Sequence, residues 1–267
     1  MELAVVDAAN SPPSVTSITS RNNLLLKDLR RLAQENTAYK KQSRIWVEGE
    51  HLCRAALARG LKPALAVFAE SNWPPSHGNI AQAAIKNIVI PDRLFKELSG
   101  LESPVNVGFV LELPAPPAIR SDVLTVILDR VQDAGNVGSI LRSAAAFGFR
   151  QVLALAGTAA LWSPKVLRAG MGAHFGLTLH EGLDPADLSA LKLPLIATSS
   201  HTGNLIHEQI FPEPCAWVLG HEGQGVSAEL LARAALTVRI AQPGGEESLN
   251  VAAAAAICLH ASMTSAT

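Results

Sequence analysis

Apolar residues in this chain recur at two different periods, and each change of period marks a new element. Over Asn23 to Ala33 and Leu52 to Arg59 they return every three or four residues, which predicts helices with one buried face. Short β-branched or aromatic runs at Ile45-Trp46-Val47, Ala64 to Phe68, Ile88-Val89-Ile90 and Asn106 to Leu111 predict strands. Helix and strand alternate, so residues 17–111 read as a small α/β domain. Residues 112–121 follow as a stiff linker, because Pro114, Pro116 and Pro117 resist both helix and central strand.

From residue 122 to 267 strand, loop and helix repeat more regularly. Leu124 to Leu128 is a continuous apolar run, the pattern of a strand covered on both faces of a parallel sheet. Val152 to Ala156, Leu195 to Thr198, Trp217 to Leu219 and Leu236 to Ile240 are further strands. Helices are expected at Val137 to Phe147, Pro164 to Ala169, Ala228 to Ala234 and Ser248 to Ser262. Ser163 offers a capping hydroxyl just before Pro164, and Ser227 and Ser248 offer the same to the later helices. The Ser/Pro-rich start, Ala8 to Ser17, reads as a loose tail, with residues 1–16 outside the first domain.

Composition narrows the function. Hydrophobic residues are 48% and charged residues 17%, which supplies a core and excludes general disorder. Aromatics are only 4%, too few for aromatic base-stacking platforms. Net charge is −1, yet Arg21 to Lys62 holds ten Lys/Arg against four acids, a local excess able to attract a polyanion or to solvate a helix face. Cys53, Cys215 and Cys258 are odd in number and far apart, which fits reduced thiols in a cytoplasmic protein. Met1 to Val15 lacks a signal-peptide pattern, and the apolar run Val251 to Leu259 is far short of the ~20 residues that span a bilayer, so no membrane role is expected. The eight His show no metal-ligand spacing, and no metal is expected.

Three polar turns carry the candidate chemistry. The first, Asp129 to Arg142, leaves a strand and opens a helix, where open α/β sheets place their ligands. Gly135 and Gly138 are spaced G-x-x-G, so it is neither a dinucleotide fingerprint nor a P-loop, which disfavours a nicotinamide oxidoreductase. Asn136 falls at the helix mouth and Arg142 on its second turn, where a guanidinium is able to clamp a phosphate. A capping Asn and a surface Arg would look the same in isolation. The second turn, Gly220-His221-Glu222-Gly223-Gln224-Gly225, sets an acid between glycines that let a ligand approach the backbone. Such acids more often satisfy only their own turn. The third, Gly244 to Asn250, leads into Val251 and five alanines.

Taken together in order, Asn136-x-Gly138-x-Ile140-x-Arg142-Ser143-Ala144, Gly220-x-Glu222-x-x-Gly225-Val226-Ser227 and Glu247-Ser248-Leu249-Asn250-Val251 resemble the three motifs of the SpoU-type RNA 2′-O-ribose methyltransferases of the SPOUT superfamily. Ser163-Pro164-Lys165 with Arg168-Ala169-Gly170-Met171-Gly172-Ala173 resembles a further segment of that family. Arg21 to Lys27 and Trp46-Val47-Glu48-Gly49 resemble its substrate-binding domain. Ala134 and Ala241 depart from the family, which often has proline there.

The resemblance implies a parallel-sheet SPOUT domain with a deep trefoil knot, a homodimer, and S-adenosylmethionine as methyl donor. It implies Arg142, Asn136, Glu222, Ser248 and Asn250 as catalytic residues. For the cofactor it implies Thr198, Ser199, Leu219, Gly220, Glu222, Gly223, Ile240, Gln242, Ser248, Leu249, Asn250 and Ala252. The RNA contacts expected are Arg21, Lys27, Arg30, Arg31, Lys40, Lys41, Arg44, Lys165 and Arg168. Ribosomal RNA is the favoured substrate because a recognition domain precedes the catalytic half. Transfer RNA is the alternative substrate, and a non-catalytic RNA-binding protein that retains the fold is the alternative class.

Overall fold

The computed structural model describes residues 13–75, 78–244 and 248–264. The tail before residue 13 and Gly245, Glu246 and Glu247 of the third turn lie outside the described residues. The chain divides into two compact units between Leu113 and Pro114.

The first unit runs β1 (Ser14–Ser17), α1 (Leu24–Gln34), α2 (Ala38–Gln42), β2 (Arg44–Glu48), α3 (Glu50–Ala58), β3 (Leu65–Ala69), α4 (Gly78–Ala83), β4 (Lys86–Ile90), α5 (Asp92–Leu98) and β5 (Val107–Glu112). Its five-stranded sheet has the order β1-β4-β3-β5-β2. β1, β4 and β3 are parallel, while β5 runs antiparallel to both β3 and β2. Ser14–Ser17 corrects the expectation of a loose tail through Ser17. Its polar sequence hid a strand that needs only one neighbour, β4, on which to register. α1 starts where Asn23 Oδ1 accepts the Leu25 amide at 2.9 Å. Trp46 packs closely on Gly108, where a Cβ would come within 2.3 Å of the indole. The indole Nε1–H donates to the buried Glu48 carboxylate at 3.2 Å, and the Ser99 hydroxyl donates to its other oxygen.

The second unit comprises β6 (Thr125–Asp129), α6 (Ala134–Ala146), β7 (Gln151–Leu155), α7 (Pro164–Gly170), β8 (Thr178–Leu183), β9 (Leu195–Thr198), β10 (Asn204–Leu205), β11 (Ala216–Gly220), α8 (Ala228–Arg233), β12 (Leu236–Arg239) and α9 (Val251–Thr264). Seven parallel strands are ordered β10-β12-β9-β11-β6-β7-β8. Every residue of β6, β7 and β11 is buried, which explains their unbroken apolar runs. Ile127, Leu153, Ala197 and Val218 join Leu188, Leu195 and Leu230 in one core cluster.

The chain lays β7 and β8 to one side of β6, then crosses to place β9 on the other side, and inserts β11 between β9 and β6. That reversal of strand order opens a crevice at the carboxyl ends of the strands. All three candidate turns leave the sheet at those ends. No helix among the described residues is long and apolar enough to cross a membrane.

Candidate active site

The first turn is shaped by its cap. Asp133 Oδ1 accepts the Asn136 amide at 2.8 Å, so α6 begins at Ala134, three residues earlier than the apolar pattern predicts. Asn136 is therefore the third residue of the helix, and Arg142 lies in its third turn, not its second. Ala134 holds the first helical position, where proline is favoured for its fixed φ; here the Asp133 cap anchors the helix start. Gly138 faces α7, and a Cβ there would come within 2.3 Å of Ala169 Cβ and 2.8 Å of Gly170 N. α7 is in turn fixed by Ser163, whose Oγ accepts the Val166 amide at 3.4 Å.

β11 pairs with β6 so that Gly220 lies opposite Asp129, and the first two turns leave the sheet side by side. Gly220 has to be glycine, because a Cβ there would come within 2.1 Å of Gly225 C. The turn folds back on itself: His221 and Gly225 exchange backbone hydrogen bonds of 3.0 and 2.8 Å. The His221 Nδ1 accepts the amides of Gly223 at 3.0 Å and Gln224 at 3.2 Å. That arrangement leaves the Glu222 carboxylate facing the first turn. Its Oε2 accepts the Gln132 amide at 3.1 Å, and its Oε1 accepts the Asp133 amide at 3.0 Å and Asn136 Nδ2 at 3.1 Å. Desolvation alone would raise the Glu222 pKa, but these donors outweigh it and bring it down to about 2.

Asn136 passes the chain on. Its Oδ1 accepts Asn250 Nδ2 at 2.9 Å, and Asn250 Oδ1 accepts the amides of Ala252 at 2.8 Å and Ala253 at 3.3 Å. Asn250 is thus the cap of α9. The expectation that Ser248 caps this helix is corrected, because the helix begins at Val251 and Ser248 sits two residues too early. Ser227 likewise stands at the start of α8 without a side-chain cap bond; its backbone amide donates instead to Asp129 Oδ2 at 2.6 Å.

The structure brings Asn136, Glu222 and Asn250 into one hydrogen-bonded row from residues as far as 114 positions apart. Arg142 stands apart from it, on the exposed stripe of α6 with Gly135, Ser139 and Ala146. Ser248 is exposed. Among the expected cofactor residues, Thr198 Oγ1 donates to Val218 O at 3.1 Å and ties the end of β9 to β11. Ser199 Oγ accepts the amides of His201 and Thr202 and so serves its own turn. Leu219 is buried and Gly220 ends β11; Gly223 is exposed in the second turn. Ile240 and Gln242 are half-buried beyond β12, Leu249 is exposed, and Ala252 is half-buried in the first turn of α9. Gln242 Oε1 is fully buried and has no hydrogen-bond partner among the described residues.

The expected RNA contacts divide. Lys27, Arg31, Lys40 and Lys41 are exposed in the first unit. Arg21 and Arg30 share the carboxylate of Glu97, at 2.7 and 3.5 Å, and Arg44 donates to Gln42 at 3.1 Å. In the second unit Lys165 is exposed and Arg168 half-buried.

Sequence reasoning missed Asp129, Arg130 and Gln224. Asp129 is buried at the end of β6 and takes hydrogen bonds from Arg130 and Ser227. Desolvation would raise its pKa, yet those bonds hold it below the ordinary carboxylate range. An acid closing an otherwise apolar strand was the available signal.

These turns, which leave the carboxyl ends of β6, β11 and β12, match a known family. Residues 123–260 fit the model of the SpoU rRNA Methylase family, and the chain belongs to that family. An uncharacterized tRNA/rRNA methyltransferase of Synechocystis sp. is 32% identical over 259 residues, covering 92% of this chain and 93% of that protein. The 23S rRNA (guanosine(2553)-2′-O)-methyltransferase RlmP of Bacillus subtilis is 30% identical over 247 residues, covering 91% of this chain and 97% of its own. The crystal structure of an AdoMet-bound rRNA methyltransferase from Sinorhizobium meliloti superposes with a TM-score of 0.81 at 25% identity, over 94% of this chain and 98% of that one.

Proposed function

We propose that this protein transfers a methyl group from S-adenosylmethionine to a ribose 2′-hydroxyl of ribosomal RNA. The observation that carries this is the Glu222 carboxylate, which draws Gln132, Asp133 and Asn136 together and, through Asn136, the cap of α9. Relatives spanning nearly the whole chain are named as RNA methyltransferases, one of them a ribosomal 2′-O enzyme.

The residues at the strand ends fit the donor. Gln242 presents a buried acceptor without a partner among the described residues, close in sequence to the third turn. Thr198, Leu219, Gly220, Ile240, Gln242, Leu249 and Ala252 would hold it. When bound, S-adenosylmethionine supplies an electrophilic methyl group. The protein's own part is to place the sugar oxygen in line with it, which is where positioning supplies rate.

Glu222 is not the proton acceptor. Its oxygens are occupied by three donors and its pKa lies near 2, far below the optimum for a base at neutral pH. It orients the row. A guanidinium is a poor general base and a good bidentate partner for phosphate, so Arg142 acts as a clamp on the RNA phosphate that polarises the neighbouring hydroxyl. Asn136, Ser248 and Asn250 keep the nucleotide in register with it. Lys165 and Arg168 flank the site, and Arg21, Lys27, Arg30, Arg31, Lys40, Lys41 and Arg44 attract the RNA backbone to the first unit.

We further propose that the chain works as a cytoplasmic homodimer and that its second unit is threaded as a trefoil knot. α9 supports the dimer: it is apolar around most of its circumference and leaves Ala253, Ile257 and Met263 exposed. The insertion of β11 between two strands laid down before it supports the threading. Three buried, unpaired thiols fit a reducing compartment. Arg142→Ala should abolish methyl transfer while calorimetry shows S-adenosylmethionine binding unchanged; undiminished turnover would refute the clamp. Mapping 2′-O-methyl groups in RNA from cells with and without the gene identifies the nucleotide, and loss of a mark from transfer RNA instead of ribosomal RNA would overturn the substrate.

A further inference from the structure

Glu222 meets its partners in an exposed setting, where individual hydrogen bonds contribute little on their own. Behind them lies a more enclosed set of contacts that none of the three motifs accounts for. Asp129 is almost completely buried at the end of β6. Its Oδ1 accepts Arg130 Nε at 2.8 Å, and its Oδ2 accepts Arg130 Nη2 at 3.4 Å and the Ser227 amide at 2.6 Å. The remaining guanidinium nitrogen, Arg130 Nη1, donates to Gln224 Oε1 at 3.0 Å. Arg130 therefore reaches from the first turn into the second with one planar fork, and Asp129 holds the exit of the second turn through the Ser227 amide.

Arg130 adopts a left-handed backbone conformation, φ +62°. A side chain with a Cβ avoids that region unless its surroundings hold it there. Thr158 supplies the hold: its Oγ1 accepts the Arg130 amide at 3.2 Å and donates to Leu128 O at 3.0 Å. The stem of Arg130 also lies against Gly157, where a Cβ would come within 3.3 Å of Cγ. The turn of the backbone aims the guanidinium back across the sheet end, toward Asp129 and Gln224. Asp129 is the register partner of Gly220 and so stands at the root of both turns, whereas Gln224 lies with Glu222 inside the part of the second turn that His221 and Gly225 close.

We propose that Asp129, Arg130 and Gln224 form a clasp that fixes the separation of the two turns and thereby positions Glu222 for methyl transfer. The assignment rests on the methyltransferase reading for its purpose, but its geometry can be read without turnover. A charge-assisted, forked contact on a buried carboxylate is the stronger kind of hydrogen bond, and it ends on Gln224, two residues from Glu222 in the same closed turn. The three are positioning residues; none is placed against the reacting atoms.

The test uses the full chain and backbone amide exchange at Gln132 and Asp133, whose N–H groups donate to Glu222. Gln224→Ala removes the bridge at an exposed site and leaves Asp129 its partners. It should speed exchange at both amides by about tenfold, as loss of one well-formed hydrogen bond would, without altering exchange in β6 or β11. Arg130→Lys should do the same, because an ammonium lacks the fork that serves Asp129 and Gln224 together. Gln224→Glu keeps an acceptor for Arg130 and should retain wild-type exchange. In methylation of transcribed ribosomal RNA, Gln224→Ala should lower kcat by about tenfold and leave the KM for S-adenosylmethionine unchanged, and Gln224→Glu should restore kcat. Unchanged exchange at Gln132 and Asp133 in both disruptive variants would overturn the clasp, as would an equal rise throughout β6 and β11. A wild-type protein that methylates no RNA would instead strike the functional reading, and the exchange arms would still judge the clasp.

Discussion

Gly138→Ala pits local preference against packing. In an open helix interior, alanine for glycine stabilises by about 1 kcal/mol. At Gly138 the added carbon would come within 2.3 Å of Ala169 Cβ, 2.8 Å of Gly170 N and 2.9 Å of Ala169 C. Carbon contacts are most favourable at about 3.5–4.0 Å, so α6 and α7 would have to part by roughly 1 Å. Two of the three atoms are backbone and have no rotamer to escape into. Overpacking of this kind costs about 1–3 kcal/mol, and with two backbone atoms in the way the cost falls above the propensity gain. The net destabilisation of up to about 2 kcal/mol should lower the melting temperature of the second unit by up to roughly 4–8 °C in scanning calorimetry. Ser139→Ala, one residue further on and exposed, serves as the control and should change it little. Because α6 carries Asn136 and Arg142, a displacement near 1 Å should also slow methyl transfer, by up to about a hundredfold, with S-adenosylmethionine affinity retained. A Gly138→Ala protein as stable and as active as the wild type would refute this packing argument.

Asn250 has two separable duties. Asn250→Ala should cost about 1 kcal/mol in denaturant titration through loss of the α9 cap, whereas Asn250→Asp keeps the cap acceptor, preserves that stability, and loses activity with the donor to Asn136; equal stability of both variants would contradict the assignment. His174 is buried with its pKa lowered from 6.5 to about 4 by desolvation, so between those values only the unfolded chain takes up the proton. Stability should therefore fall as pH drops through 6.5 and level near 4, by up to about 3 kcal/mol, and His174→Gln should flatten that slope in urea titrations. Glu222 has a pKa near 2 against an ordinary 4.5, so its contribution is complete above 4.5 and lost only as pH falls toward 2; an acid limb in the pH–rate profile near neutrality that vanishes in Glu222→Gln would overturn its role as an orienting carboxylate. Replacing Lys27 and Arg31 with Gln should weaken RNA binding and reduce its salt dependence by about two ion equivalents, measured by filter binding across salt concentrations, with cofactor affinity unchanged.

Strands that are buried on both faces were legible from sequence. Thr125–Asp129, Gln151–Leu155 and Ala216–Gly220 each follow an apolar run that only a covered parallel strand requires. Edges were not. β1 is polar, and β8 carries His180, Glu181 and Gly182 where one side lacks a neighbouring strand, so neither shows the apolar signature. The short helices α2, α4 and α5 offered too few turns for a period to emerge. In the site, the motif order pointed to Asn136, Glu222 and Asn250, and the structure joins those three. That Asn250 caps α9 in place of Ser248 depends on where the helix begins, which is decided by backbone geometry. The Arg130 contact was hidden because a left-handed arginine has no sequence signature, and its partner Gln224 lies 94 residues away.

The place of β11 in the sheet has a consequence during synthesis. The strand that completes the middle of the second unit is made after β6, β7, β8 and β9. Until Ala216–Gly220 arrives, the inner edge of β6 is an open row of backbone donors and acceptors, flanked by apolar side chains with nothing to cover them. A nascent chain that stalls before this point carries an adhesive seam instead of a smaller stable domain, and that seam closes only once synthesis has passed Gly220.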